Sequence, residues 1–183
     1  MKLLGLLRHA KSDWSESELR GGAQRDFDRG LNGRGRRGAA LMGRHIQDHG
    51  VSWDRLLASP AQRVRQTLAA AELPLEPRWQ DHAYLADADT LLSLVQVTDG
   101  DPASLLLVGH NPGLQDLLLL LVRDIDDPLC LAAAEKFPTA SFAVLELDVA
   151  NWADVVPGCG RLVHFARPRD LDAALGPEPS PVI

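Results

Sequence analysis

Three times in its first 115 residues the chain passes from a short apolar run, through a polar elbow, toward a stretch with helical spacing. The runs are Leu3-Leu4-Gly5-Leu6-Leu7, Trp53-Asp54-Arg55-Leu56-Leu57-Ala58 and Leu105-Leu106-Leu107-Val108. Each has strand length and is bounded by turn or charged residues. Helical spacing follows at Ala39, Leu41, Met42 and Ile46, with Asn32 as N-cap and an end near His49-Gly50. It returns at Thr67, Leu68 and Ala71, and again at Leu114, Leu117, Leu118 and Leu121. Alternation of this kind closes into a parallel sheet with right-handed crossovers, which puts the carboxyl ends of the strands on one edge. Ala88–Val97 predicts a further helix, capped by Asp87. From Ser141 the period becomes two, and Phe142–Leu147 with Gly160–Phe165 predicts a hairpin. The expected fold is a three-layer α/β/α sandwich with a mostly parallel central sheet and a C-terminal antiparallel hairpin. It is expected to occupy residues 1–167, and the Pro-rich tail 168–183 to lack regular structure.

What the polar elbows contain decides the chemistry. The first strand ends in Arg8-His9. The second leads into Ser59-Pro60-Ala61-Gln62-Arg63, where Ser59 as N-cap and Pro60 as first helical residue would set Arg63 in the first turn. The third ends in Gly109-His110-Asn111-Pro112-Gly113. In open α/β sheets, ligands bind at the carboxyl ends of the strands. Two arginines, two histidines and helix N-termini then converge on one small volume. Arginine forks match phosphoryl oxygens, and fixed positive charge stabilises a phosphoryl-transfer transition state. The neighbouring arginines would repel a divalent cation, and no carboxylate lies within these motifs, so no catalytic metal or cofactor is expected. His45 and His49, one helical turn apart, read as surface residues, and His164 as structural.

Charge distribution agrees with a focused anion site. The formal net charge is −6, yet residues 1–70 carry thirteen basic against seven acidic side chains, and the remainder six against eighteen. An acidic chain of this kind argues against general nucleic-acid binding. No apolar run approaches a membrane span, and none at the start resembles a signal peptide. Cys130 and Cys159 lack metal-binding spacing, and together these features predict a cytoplasmic protein without membrane association.

The motifs jointly resemble the histidine phosphatase superfamily, and within it the short single-domain SixA-type phosphohistidine phosphatases. The matching segments are Arg8-His9-Ala10-Lys11-Ser12, Asp28-Arg29-Gly30-Leu31-Asn32, Ser59-Pro60-Ala61-Gln62-Arg63-Val64-Arg65-Gln66-Thr67 and Val108-Gly109-His110-Asn111-Pro112. The resemblance implies that His9 is the nucleophile and that Arg8, Arg63 and His110 form the phosphate pocket, with Arg29 as an additional arginine. Gly30 stands where this branch often has proline, which would loosen Arg29. Many relatives use a glutamate to protonate a leaving alcohol. Here Tyr84 occupies the comparable place, and Asp87 is the nearest acid, read as a helix cap.

The implied activity is hydrolysis of a phosphoryl group, from phosphohistidine on a protein, through a covalent intermediate on His9. Loss of the glutamate is tolerable when the leaving group is an imidazole, whose pKa near 6.5 makes it depart far more readily than an alkoxide. Competing readings are a small-molecule phosphomonoesterase using Asp87 as acid and a non-catalytic phosphate- or phosphoprotein-binding module. A phosphoglycerate mutase is disfavoured by the short chain and the missing glutamate.

Overall fold

The computed structural model describes residues 1–13 and 25–177. Six strands form one sheet: β1 (Lys2–Arg8), β2 (Arg55–Ala58), β3 (Pro77–Trp79), β4 (Ser104–Gly109), β5 (Phe142–Leu147) and β6 (Gly160–Ala166). Their order is β3-β2-β4-β1-β5-β6. The pairs β2–β3, β2–β4 and β1–β4 are parallel, whereas β1–β5 and β5–β6 are antiparallel. The mostly parallel sheet and its C-terminal hairpin are therefore as expected.

The described helices are α1 (Gly33–Asp48), α2 (Gln62–Ala71), α3 (Ala88–Gln96), α4 (Gly113–Leu121), α5 (Pro128–Glu135) and α6 (Pro168–Leu171). They divide between the two sheet faces because side chains of a strand alternate. Leu4, Leu6, Leu105 and Leu107 pack with Leu91, Leu114, Leu118 and Ala133 of α3, α4 and α5. Leu7, Leu106 and Val108 turn to the other side and meet Met42, Ile46 and Val64 of α1 and α2. A sheet covered on both faces reads as near-continuous apolar runs, and all six residues of β4 are buried.

Local capping explains most element ends. Asn32 accepts from the Gly35 amide at the start of α1, and Gly50 follows the helix with φ +94°, a conformation that favours glycine. Asp87 caps α3 through the Thr90 amide. Gly35 is needed for a different reason: a Cβ there would come within 2.0 Å of the Lys11 carbonyl, so the start of α1 seats against the segment that follows β1. Ser59 differs from the expectation. Helix α2 begins at Gln62 with Ala61 as N-cap, while Ser59 Oγ accepts from the Ala61 amide and meets His110. Arg63 remains in the first helical turn.

The tail also differs. Pro168 opens α6, where its missing N–H costs no hydrogen bond, and Asp170 accepts from the Arg167 amide and guanidinium. A 3₁₀ turn follows at Ala173–Leu175, and Arg34 donates to the Gly176 carbonyl. Regular structure thus continues past residue 167, because capping and a return contact to α1 offset the proline content. The expectation of a long loop over Asp13–Arg29, including Gly21-Gly22, falls largely outside the described residues; Asp26–Asp28 forms a 3₁₀ turn.

Candidate active site

The three central strands β2, β4 and β1 end side by side. Arg8 stands in register with Gly109, the His9 amide donates to the Gly109 carbonyl, and the Ser59 amide donates to the Val108 carbonyl. These backbone bonds place Arg8-His9, Ser59 and His110 at one edge of the sheet. A cavity of about 290 Å³ opens there, lined by Arg8, His9, Ser12, Asp26, Arg29, Arg63, Leu85, His110, Asn111 and Thr139. All five residues expected in the site, His9, Arg8, Arg63, His110 and Arg29, share this cavity. Asp87 is not among its walls and is exposed, occupied as the cap of α3.

The two histidines have different settings. Their ring centroids lie 5.3 Å apart. His9 Nδ1 is 2.8 Å from the Ala10 carbonyl oxygen, which can only accept, so Nδ1 carries the proton and Nε2 keeps its lone pair. His110 Nε2 is 2.7 Å from Ser59 Oγ, and its Nδ1 is buried without a protein partner among the described residues. Burial, aided by the surrounding cationic groups, brings both imidazoles down to about 3. Both rings are therefore neutral at neutral pH.

Arginines supply the fixed charge. Arg63 is 2% exposed, and its two terminal nitrogens donate to the Asp26 carbonyl and Oδ2 at 2.9 and 3.0 Å. Arg29 donates to Asp26 Oδ1 at 2.9 Å and to Ser12 Oγ. Arg8 reaches the Phe137 carbonyl at 2.9 Å. Its Nε and that of Arg63 are buried and find no protein acceptor among the described residues. Unpartnered buried donors are costly, and here they border a cavity suited to an oxyanion. Among the described wall residues, three guanidiniums against one carboxylate leave a net charge of +2, which matches a phosphoryl dianion.

Asp26 is the wall residue that sequence reasoning missed. It bridges Arg29 and Arg63 and accepts from the Tyr84 hydroxyl. Hydrogen bonds from Tyr84 and Arg29, with the charge of Arg63, outweigh burial and hold its carboxyl at about 2. The available signal was its place three residues before Arg29, the spacing of a local ion pair. Gly30 does not leave Arg29 loose. Ser12 and Asp26 hold the guanidinium, and Gln66, which accepts from the Leu31 amide, fills the space a Cβ at Gly30 would enter.

His45 and His49 are not the surface residues expected. The last turn of α1 lies over the hairpin, so both rings are half-buried against Phe142, together with His164.

The neutral histidines make stability depend on pH with a definite sign. Native His9 and His110 stay unprotonated down to about pH 3, whereas in the unfolded chain each would protonate near 6.5. The unfolded state therefore binds more protons between those values, and stability falls as pH drops through that window. Each such histidine adds a slope of about 1.4 kcal/mol per pH unit. His110→Asn should flatten the curve by about one proton in urea unfolding followed from pH 6 to pH 4. An unchanged slope would mean that His110 is not held neutral by the fold.

Comparison with known proteins comes to the same region of the chain. A family model described as the histidine phosphatase superfamily (branch 1) matches residues 4–90. An uncharacterised protein of Mycobacterium tuberculosis is 35% identical over 165 residues, 89% of this chain and all of the relative. Two solved structures are similar over nearly their full length, each described as a candidate phosphohistidine phosphatase SixA. That of Nakamurella multipartitia is 30% identical, covers 91% of this chain and 96% of its own, and superposes with a TM-score of 0.79. That of Agrobacterium tumefaciens is 33% identical, with 90% and 97% coverage and a TM-score of 0.72.

Proposed function

Because this chain belongs to the histidine phosphatase superfamily, we propose that it hydrolyses phosphohistidine on a phosphorylated protein through a phosphoryl intermediate on His9. The family and its SixA-type neighbours support phosphatase activity. The observation that carries the finer reading is the acid–base content of the cavity. Among the described residues its one carboxylate, Asp26, is held at about 2 and cannot donate a proton near neutrality. Tyr84 already donates to Asp26, and its hydroxyl is pushed above its ordinary value, first by burial and then by Asp26. With no proton donor of suitable pKa among the described wall residues, an alcohol would have to leave as a poor leaving group. A phosphohistidine protonated on its distal nitrogen leaves as a neutral ring.

In the first step the Nε2 lone pair of His9 attacks phosphorus, the N–P bond to the substrate breaks, and the substrate imidazole departs neutral. The proton stays on Nδ1, which donates to the Ala10 carbonyl throughout, so His9 is in turn a neutral leaving group when water attacks the intermediate and the water protons leave with the phosphate. Arg8, Arg29, Arg63 and His110 hold the equatorial oxygens in both steps. A hollow beside the cavity, sharing Thr139 with it, is lined by Lys11, Arg34, Lys136 and Arg169. That extension of positive charge suits an acidic protein surface better than a small ester.

Turnover of a phosphohistidine protein measured beside phosphoserine and small phosphate monoesters tests this reading. The expected result is a preference for the N–P substrate of at least about a hundredfold in kcat/KM, roughly 2.7 kcal/mol of transition-state discrimination. Equal rates on monoesters would favour the phosphomonoesterase reading, and no turnover on either would favour the binding module. Because arginines supply the charge, activity should also survive EDTA treatment. Loss on chelation in a chain that stays folded, with recovery in stoichiometric divalent metal, would overturn the metal-free mechanism.

A further inference from the structure

The three half-buried imidazoles at the end of α1 play no part in the phosphate cavity. His45 and His49 are one helical turn apart, His49 being the C-cap of α1, and His164 comes from β6, the edge strand. One ring nitrogen from each lies within 4.8 Å of the others. His45 Nε2 and His164 Nε2 are 2.8 Å apart. The rings of His49 and His164 are 4.1 Å apart, and those of His45 and His164 5.0 Å.

Packing alone accounts poorly for three imidazoles in one place. A neutral imidazole has one donor and one acceptor, so the His45–His164 contact satisfies one of each among three of each. Phe142 covers the rings on one side and offers no hydrogen bond acceptor. A single ion would engage three lone pairs at once. Tetrahedral coordination at 2.0–2.1 Å puts ligand nitrogens about 3.4 Å apart, between the 2.8 Å contact and the 4.8 Å limit, so modest ring rotation suffices. The proton now shared between two Nε2 atoms would move to a Nδ1, and neutral rings would lose none. The carbonyl end of α1 favours a cation there. Nitrogen donors with no carboxylate in the cluster suit zinc-class ions and exclude magnesium and calcium as preferred occupants.

We infer that His45, His49 and His164 form a site for one zinc-class divalent transition-metal ion, separate from the phosphate cavity, which ties the end of α1 to edge strand β6. The fourth coordination position faces solvent and takes water. The site acts as a clamp on the fold, independent of the phosphatase reading.

The test uses the full chain, stripped with EDTA and dialysed, then titrated with zinc chloride by calorimetry and with cobalt chloride by visible absorption. The expected result is one ion per chain with a Kd of about 10 μM or tighter, and visible cobalt bands of a four-coordinate site. Zinc at a hundredfold excess over Kd should raise Tm by about 5–10 °C. His164→Ala and His45→Ala should each abolish the cobalt spectrum and the Tm shift, while His82→Ala, exposed and distant in sequence, should retain both. Circular dichroism of each variant, with turnover, reports that the fold survives. Absence of saturable binding in the parent chain overturns the proposal. So does binding that persists in a folded His164→Ala protein, or that is lost in His9→Ala, which would move the ion to the phosphate cavity.

Discussion

His9→Ala should abolish covalent trapping and lower turnover by at least about 10⁴-fold, the scale seen when a nucleophile acting with its partners is removed. Quenching without acid during turnover of labelled substrate should capture phosphate on the parent protein as a phosphoramidate, stable in alkali and lost in acid. The label should map to His9. His110→Ala is expected to behave differently. It removes one donor to the transition state, a loss of about 10²–10³-fold, and leaves the nucleophile with its Nδ1 on Ala10. Slow turnover with detectable label on His9 is the expected signature. Near-native turnover of His9→Ala, or label on His110 in the parent enzyme, would reverse the assignment of roles.

Arg63→Ala should cost about 10²–10³-fold in kcat/KM, and Arg63→Lys should recover little of it. A lysine is a point charge without the planar fork that meets two acceptors, whereas Arg63 presents its two terminal nitrogens to the carbonyl and carboxylate of one residue. The variant also uncovers a second effect. Asp26 would keep its negative charge with Arg29 and Tyr84 as its remaining partners among the described residues, and it would repel the incoming dianion. Adding Asp26→Asn to Arg63→Ala should therefore recover affinity, so that the double variant has a lower KM than Arg63→Ala alone. Strict additivity of the two substitutions would show that the carboxylate acts independently of Arg63.

The fold was legible where periodicity is long and the caps are local. Asn32, Asp87 and Gly50 behave as their types predict, and β4 reads as a central strand because both faces are covered. Helix α5 was not anticipated, although Asp127 followed by Pro128 is an N-cap with a proline at the first helical position. Its short Leu-Cys-Leu-Ala-Ala-Ala sequence has little amphipathic contrast to reveal it. The elbow residues could be placed because strand order and crossover hand bring strand ends together. Asp26 was legible only as a local ion-pair partner of Arg29; its place in the cavity was not, since its second partner Arg63 is 37 positions away and only folding makes them neighbours. The same limit hid the histidine cluster: His164 is 119 positions from His45, and no local pattern joins them.

The contact between the first strand and the loop before β5 also fixes when the site can exist. The Ala140 amide donates to the carbonyls of both Arg8 and His9, the Arg8 amide donates to Ser141, and the Arg8 guanidinium reaches Phe137, 129 positions on. A ribosome adding about 5–20 residues per second needs roughly 6–26 seconds to cover that distance. For that interval the emerging chain carries His9 after a strand with no partner for its far edge. The candidate site thus assembles only once residues 137–141 have emerged, and a nascent chain arrested before them has the residues of the site without the scaffold that aims them.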